Sequence, residues 1–288
     1  MRLLTQPYVT GPEFRASPTW LDTQNLVVGG AESQQEAELA NVLLRASAWA
    51  DSQVDQPLGA HAHTEQLRVT VGRDGRVSIH ASHAPVRAVT ALAYGAPPDL
   101  TALTDLSGVW VEDQVQILTA LAAGGGFGGL LEFGPRPGSY ETYVRAGYVA
   151  GYTSTTLAAD VSAAAASLVV ADPTGIYPGD VLRIWDPGSE EAVTVAPGYV
   201  PGSTTVGLVG VTRAAHGSGA GVSALPADVH QAVILRSAAL LLREPTAGGD
   251  EFADAPFGPT ARRSSRRTRA ADLIAEATAL LARYRRVR

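Results

Sequence analysis

The chain has 288 residues, of which 45% are apolar, a length and composition that suit one large or two medium domains with buried cores. The absence of cysteine excludes disulfides, thiolate catalysis and cysteine metal sites. No apolar run reaches about 18 residues and the N-terminus lacks the apolar core of a signal peptide, which predicts no membrane span and synthesis in a cytoplasm.

Charge is distributed unevenly along the chain. All 22 basic residues are arginine, and the net charge is −6. Residues 262–288 contain nine arginines against Asp272 and Glu276, a balance of +7, so the remaining residues carry −13. An acidic body repels nucleic acid over most of its surface and leaves one cationic contact near the end of the chain.

Residues 1–32 contain scattered Pro and Gly and no sustained periodicity, which predicts an extended N-terminal arm. The large apolar side chains of Tyr8, Phe14, Trp20 and Leu21 suggest that this arm docks on another surface. The sequence Ser33-Gln-Gln-Glu36 then fits a capping box. It predicts the start of a helix within residues 33–60.

From about residue 61 the hydrophobic period changes to two, which predicts a β-rich region over residues 61–150. It contains an expected hairpin with Asp-Gly in its turn. The expected strands are 66–71, 76–81, 86–94, 108–112, 114–118, 130–133 and 140–150. Short strands between Gly/Pro turns predict a small β-sandwich or barrel over residues 151–225. Its expected strands are 167–170, 180–185, 192–195, 204–209 and 221–224.

The segment 227–244 is the longest run that fits a buried helix, with Pro226 before it and Pro245 after it. Its apolar residues fall on two nearly opposite faces, so it needs two packing partners. The candidates are the early helix, a final helix, or the same surface of another subunit. The residues predicted to pack in the core or between subunits are Val229, Val233, Ile234, Leu240, Leu241 and Leu242.

After an expected loop over residues 246–265, an apolar stripe predicts a final helix at 268–286. The Arg-rich stretch 262–269 leads into it as a partly disordered arm. Guanidinium groups bind phosphate and acidic surfaces, so protein docking, nucleic-acid contact and a solvated tail are its three interpretations. The predicted docking residues, for a protein partner or nucleic acid, are Arg262, Arg263, Arg266, Arg267, Arg269, Leu273, Ile274, Leu280, Leu281 and Tyr284.

Four histidines are the nearest approach to a metal site. His61, His63, His80 and His83 could bind zinc or nickel if they met in space. No carboxylate stands at a typical ligand spacing from them, and residues 61–63 fall in a stretch that resembles a loop. We therefore interpret them as exposed or rim histidines and assign neither a metal nor a cofactor.

Other chemical signals are weak. The glycine run at 124–129 matches GxGxxG, but a strand-like sequence follows it where a dinucleotide site needs a helix, which favours a loop tip. The carboxylate pairs Glu112-Asp113 and Glu190-Glu191 are adjacent in sequence and are interpreted as surface charge. The usual hydrolase, metalloprotease and Lys-containing phosphate-loop motifs do not occur, so we predict that the protein is not an enzyme.

Segments near both ends of the chain resemble the head-to-tail connector, or adaptor, proteins of tailed bacteriophages. The resembling segments are 40–51, 83–94, 223–230 and 280–286, and residues 167–222 resemble a small β domain of phage structural proteins. The resemblance implies an α+β fold in which N- and C-terminal helices form a small bundle. It also implies that the large β-rich regions are insertions, sandwich-like or barrel-like.

The resemblance further implies a structural virion protein at the head-tail interface, made in the host cytoplasm. About twelve copies would form a ring below the portal protein, extend the DNA channel and dock the next neck or tail protein. DNA would pass through without sequence-specific contact. The alternative is another phage tail, tail-completion or baseplate protein whose β modules bind a partner, assembled as a trimer or hexamer.

Overall fold

The computed structural model describes residues 4–72, 75–120, 140–242 and 259–285, with residues 259–268 described by their backbone alone. The fold is α+β, and the chain divides into two compact units. The first unit comprises Met1–Gly59 with Thr153–Arg288, and the second comprises Ala60–Tyr152. None of the described helices combines the length and apolar character that crossing a membrane requires.

The second unit is a seven-stranded antiparallel sheet in the order β4-β3-β7-β1-β2-β6-β5. Its strands are β1 (His61–Val71), β2 (Arg76–His80), β3 (Val86–Ala96), β4 (Asp99–Ala102), β5 (Val109–Glu112), β6 (Gln116–Ala120) and β7 (Tyr140–Ala150). The sheet curls into a half-barrel. Strands β1 and β7 pair over their whole length, from His61 opposite Ala150 to Val71 opposite Tyr140. These two strands therefore hold the unit together.

The alternation of the sequence explains which face of this sheet is buried. Along β1 every second side chain from His61 to Val71 is buried or half-buried, and the side chains between them are exposed. One cluster forms the core: Val69, Val71, Val77, Ile79, Val86, Leu92, Ile117, Val144, Ala146, Tyr148 and Ala150.

The expected hairpin is present, since β1 and β2 pair antiparallel and the Gly72 amide donates to the Arg76 carbonyl at 2.8 Å. Strand β4 was not predicted, because its four residues are mainly exposed and show no alternation of apolar and polar side chains. The expected strand at 130–133 lies outside the described residues.

Six short strands in the first unit form two small sheets, in the orders β11-β10-β13-β8 and β12-β9. They are β8 (Ser154–Thr156), β9 (Ser167–Val169), β10 (Val181–Trp185), β11 (Glu191–Thr194), β12 (Thr205–Gly207) and β13 (Gly221–Ser223). A common core, including Leu182, Ile184 and Val222, lies beneath both. Strand β8 was not predicted.

The helices described in the first unit are α1 (Gly11–Ala16), α2 (Glu32–Val54), α3 (Ala227–Leu241) and α4 (Pro259–Leu281), with a 3-10 turn at Ala282–Tyr284. Helix α3 packs against both α2 and α4. This arrangement supplies the two partners that its two apolar faces require. Of the six predicted packing residues, Val229, Val233 and Ile234 are buried, and Leu240, Leu241 and Leu242 are half-buried.

The N-terminal segment is not extended throughout, which corrects the prediction for residues 1–32. Helix α1 starts at a Thr10 cap, whose hydroxyl accepts from the Glu13 amide, while the Glu13 carboxylate accepts from the Thr10 amide. Tyr8 and Phe14 are buried, as docking of this segment requires, but Trp20 is 90% exposed. A six-residue helix is too short for its periodicity to be visible in the sequence.

Two helix starts also differ from prediction. Helix α2 begins at Glu32, with Ala31 as its cap and the Gln34 side chain accepting from the Ala31 amide at 2.8 Å, so Ser33 is not the cap. Helix α4 begins at Pro259, so the expected loop cannot extend to residue 265. Proline suits the first helical turn, and arginine and alanine favour the helix that follows.

We expect Tyr8→Phe to destabilise the protein by about 1–3 kcal/mol, because the Tyr8 hydroxyl donates to Asp51 at 2.7 Å and accepts from the buried Gly59 amide at 2.8 Å. Chemical denaturation followed by circular dichroism measures the change. Tyr143→Phe removes the same hydroxyl from a side chain that is 38% exposed, and should change stability by less than about 0.5 kcal/mol. Equal effects would contradict the role of Tyr8.

Candidate functional site

The predicted docking residues of α4 do not all face outward. Ala270, Ala277 and Leu281 are buried, and α4 packs against α3. Leu281, only 1% exposed, is therefore a core residue of this chain, which corrects its assignment to partner docking. Four others are half-buried: Leu273, Ile274, Leu280 and Tyr284.

The basic half of α4 contains all five arginines of the predicted docking set. Arg269 is exposed. The backbone of the other four is helical, and their side chains lie outside the described residues: Arg262, Arg263, Arg266 and Arg267. The partly disordered arm that the sequence predicted is thus a helical segment.

A small cleft beside Arg269 lies in the first unit, between α3, α4 and the N-terminal segment. Its lining includes Leu21, Ile234, Leu235 and Leu273, so it is mainly apolar with one cation at its edge. Trp20, the sequence neighbour of Leu21, is 90% exposed. An apolar cleft and an exposed Trp are features of protein-protein contact surfaces.

Three of the four histidines converge in the second unit. His61 and His63 stand two residues apart on β1 and so share one face, and His83 reaches them from the segment between β2 and β3. His61 Nε2 lies 2.9 Å from His83 Nδ1, and the His63 and His83 ring centroids are 4.0 Å apart. One ring nitrogen from each of the three lies within 4.8 Å of the other two.

Glu65 fixes the segment that carries His83. Its carboxylate accepts from the Ser82 amide at 2.8 Å, from the Ser82 hydroxyl, and from the Tyr148 hydroxyl at 2.6 Å. The Tyr148 hydroxyl in turn accepts from the His83 amide at 3.2 Å. Burial opposes ionisation of Glu65, but these hydrogen bonds and the nearby His63 outweigh it and lower its pKa. The cluster therefore stands beside an ionised carboxylate.

The prediction of exposed or rim histidines is wrong for His61. His61 is 5% exposed, and His63 and His83 are half-buried, whereas His80 on β2 is exposed and lies outside the group. The stretch that resembled a loop is the start of β1, which pairing with β7 extends to His61. Glu65, two residues beyond His63 on the same face, was the signal available in the sequence.

A second buried histidine, His216, corrects the reading of Glu191 as surface charge. Its Nε2 lies 2.7 Å from Glu191 and its Nδ1 lies 3.2 Å from Asp186. The Glu191 carboxylate also accepts from the amides of Arg213 and Ala214. Glu190 points the other way and pairs with Arg183 at the surface. Glu190 precedes β11 and is exposed, whereas Glu191 begins the strand and is buried, so the two adjacent carboxylates have different roles.

Two further features of the sequence were considered as possible sites, a carboxylate pair and a glycine run. Glu112 and Asp113 are both exposed, in agreement with the surface interpretation. The glycine run at 124–129 lies outside the described residues.

Comparison with known proteins gives limited information. No protein-family model and no curated protein matches the sequence. Among solved structures, a chain from "Neck of empty GTA particle computed with C6 symmetry" is 20% identical, with 99% of this chain and 97% of that chain covered and a TM-score of 0.37. A chain from "Virion of native gene transfer agent (GTA) particle" is 19% identical over the same shares, with a TM-score of 0.35. Because both TM-scores are low, the functional argument rests on the residues of this chain.

We expect Glu191→Gln to destabilise the protein by about 1–3 kcal/mol at pH 7, because the neutral amide cannot accept all the hydrogen bonds that converge on the buried carboxylate. Burial raises the pKa of Glu191, but hydrogen bonds from His216, Arg213 and Ala214 outweigh burial and lower it. The pKa of Glu191 is lower in the folded protein than in the unfolded chain, where it is about 4.3. The stabilisation by the ionised carboxylate is therefore present above about pH 4.3 and is lost as the pH falls through the pKa of the folded protein.

Denaturation curves at several pH values measure this effect. The difference between wild type and Glu191→Gln should shrink below about pH 4. Glu190→Gln is the matched control, since Glu190 forms an exposed ion pair that contributes at most about 1 kcal/mol. A Glu191→Gln effect that is independent of pH would contradict the assignment.

Proposed function

We propose that the protein is a structural component of a phage-like virion neck: a head-to-tail connector, or adaptor, made in the host cytoplasm. About twelve copies form a ring below the portal protein, extend the DNA channel and dock the next neck or tail protein. The protein acts by assembly and has no catalytic role. DNA passes through the ring without sequence-specific contact.

The observation that carries this proposal is the meeting of helices from both ends of the chain. Helix α3 lies against α2 from the N-terminal part and α4 from the C-terminal part. Polar contacts also join the N-terminal and C-terminal parts of the chain. The Gln56 side chain donates to the Tyr284 carbonyl at 3.3 Å, the Arg285 guanidinium donates to the Gln53 carbonyl at 3.2 Å, and Arg283 pairs with Asp228. This layout supports the terminal helical bundle that the connector resemblance implies.

The charge distribution also supports this role. Outside residues 262–288 the chain carries 26 acidic residues against thirteen arginines. An acidic channel surface repels the phosphates of DNA, so the DNA moves through the channel without binding to it. Five arginines instead cluster within residues 262–269 of α4, where they can bind an acidic surface of the portal protein. We assign portal docking to the five arginines of α4 and to Leu273.

Subunit contact in the ring is assigned to the exposed Trp20 and to the part of the cleft that Leu21, Ile234 and Leu235 line. Contact between different surfaces of neighbouring copies closes a ring when the rotation between them is a simple fraction of a turn. A 90% exposed tryptophan offers a large apolar area to such a neighbour.

Replacing Arg262, Arg263, Arg266 and Arg267 together by Gln is expected to abolish attachment to DNA-filled, portal-bearing heads. Glutamine removes the cations but retains a high helix propensity, so α4 stays folded against α3. Deleting the helix would be a poorer test, because Ala277 and Leu281 belong to the core. Co-sedimentation with heads purified from a lysate that lacks the protein measures attachment.

The control removes the same charge elsewhere. Arg45, Arg68, Arg76 and Arg145 are exposed or half-buried positions on α2 and on the second unit, and their replacement by Gln should leave attachment unchanged. Attachment of the α4 variant at the wild-type level would contradict portal docking through these arginines.

We also expect the purified protein to form a closed ring of about twelve chains of 29.9 kDa each, or to do so on the portal. Light scattering over a range of concentrations, with negative-stain images, measures the copy number and shows the central hole. Trp20→Ala should shift the population toward smaller species, whereas Trp110→Ala, at a side chain that is 47% exposed on β5, should not. A stable trimer or hexamer would instead favour the tail, tail-completion or baseplate alternative.

A further inference from the structure

We propose that His61, His63 and His83 bind a divalent transition-metal ion of the zinc type, with their imidazole nitrogens as the protein ligands. The proposal concerns the second unit alone and is independent of the neck role. Within the described part of the chain, these residues are the group of ligand-type side chains that converges closely enough to hold an ion.

The geometry is close to that of a metal-bound site. Zinc-nitrogen bonds of about 2.0–2.1 Å in a tetrahedral arrangement place the ligand nitrogens about 3.3 Å apart. The His61 and His83 nitrogens are 2.9 Å apart, and no pair in the cluster exceeds 4.8 Å. The spacing of the nitrogens in the cluster therefore differs by at most about 1.5 Å from the spacing that a bound zinc ion requires.

The chemistry of the ligands selects the class of ion. Neutral imidazole is a borderline donor that suits Zn²⁺, Ni²⁺, Cu²⁺ and Co²⁺, whereas Mg²⁺ and Ca²⁺ require oxygen ligands. With a usual pKa of about 6.5, histidine offers its nitrogen lone pair at neutral pH. A site with three histidines and no thiolate also remains functional in an oxidising medium, where thiolates are lost.

The surroundings of the cluster resemble the outer shell of metal sites. Ligand histidines usually stand beside carboxylates that orient the rings and offset the charge of the ion. Glu65 lies two residues from His63 on the same face of β1, and it fixes the segment of His83 through Ser82. The Tyr148 ring packs edge-on against His63, with centroids 5.5 Å apart. The three rings are therefore positioned by the fold before any ion arrives.

Three protein ligands leave one tetrahedral position open, and we assign that position to water. A closed structural site uses four protein ligands, so the ion here is more exchangeable than one in a zinc finger. Its effect is to link β1 to the segment between β2 and β3. The bound ion should thus stabilise the second unit without being required for its folding.

The test uses the full chain without a histidine tag, stripped with EDTA and titrated with ZnCl₂ by isothermal calorimetry. We expect one ion per chain, with binding that weakens below about pH 6 as protons compete for the nitrogens. His63→Gln and His83→Gln should each reduce the affinity by more than about 100-fold. Glu65→Gln should reduce it by about 10- to 100-fold, the range for an outer-shell carboxylate.

His80→Gln is the matched control, since it removes a histidine that is exposed on β2 and outside the cluster. It should bind zinc as wild type does. Circular dichroism verifies that each variant is folded, and Co²⁺ absorption gives a second readout, because four-coordinate Co²⁺ absorbs visible light far more strongly than hydrated Co²⁺. Wild-type protein that takes up no zinc, or folded His63→Gln and His83→Gln proteins that bind it as tightly as His80→Gln, would overturn the proposal.

Discussion

A buried contact between a histidine and a carboxylate joins the separate parts of the first unit. His230 of α3 lies 2.6 Å from Glu13 of α1 and 3.2 Å from the Ser223 hydroxyl of β13, and its ring stacks on Trp185 of β10 at 4.3 Å. His230 and Glu13 are only 3% and 6% exposed. Because a buried polar group destabilises a fold unless it is hydrogen-bonded, these elements must assemble together. The small β structure and the helices are thus parts of one unit, and the N-terminal segment completes it.

The same contact shows where prediction from the sequence ends. Helices α2 and α3 and most strands were predictable, because burial of one face repeats locally at the helical or strand period. Glu13 and His230 lie 217 residues apart, and nothing in their neighbours indicates that either is buried. Helix α1 is stabilised by this distant pair and by its own capping box. Its six residues show no helical period in the sequence. Pairing between distant segments, which the local sequence does not encode, accounts for the unpredicted burial of Glu13 and His230.

The histidine cluster illustrates the same limit within a single strand. On the inner face of β1 the side chains change from apolar at Leu67, Val69 and Val71 to polar at His61, His63 and Glu65. Side chains two residues apart on a strand share a face, so these six residues lie together once β1 extends back to His61. The contribution of His83 was not predictable, because it comes from a segment between strands and is positioned by hydrogen bonds to Glu65 and Tyr148. The strand alone therefore brings together two of the three histidines, and the fold supplies the third.

The helical structure of α4 alters the entropy cost of the docking proposed for the basic end of the chain. A disordered arm loses conformational entropy when it binds, and this loss reduces the affinity that its contacts provide. Here the Arg-rich stretch continues the same helix whose later turns are anchored against α3 through Ala270, Ala277 and Leu281. The backbone of the basic segment is therefore already helical in the unbound chain. In the docking that we propose, this segment thus loses less conformational entropy on binding an acidic surface than a disordered arm would.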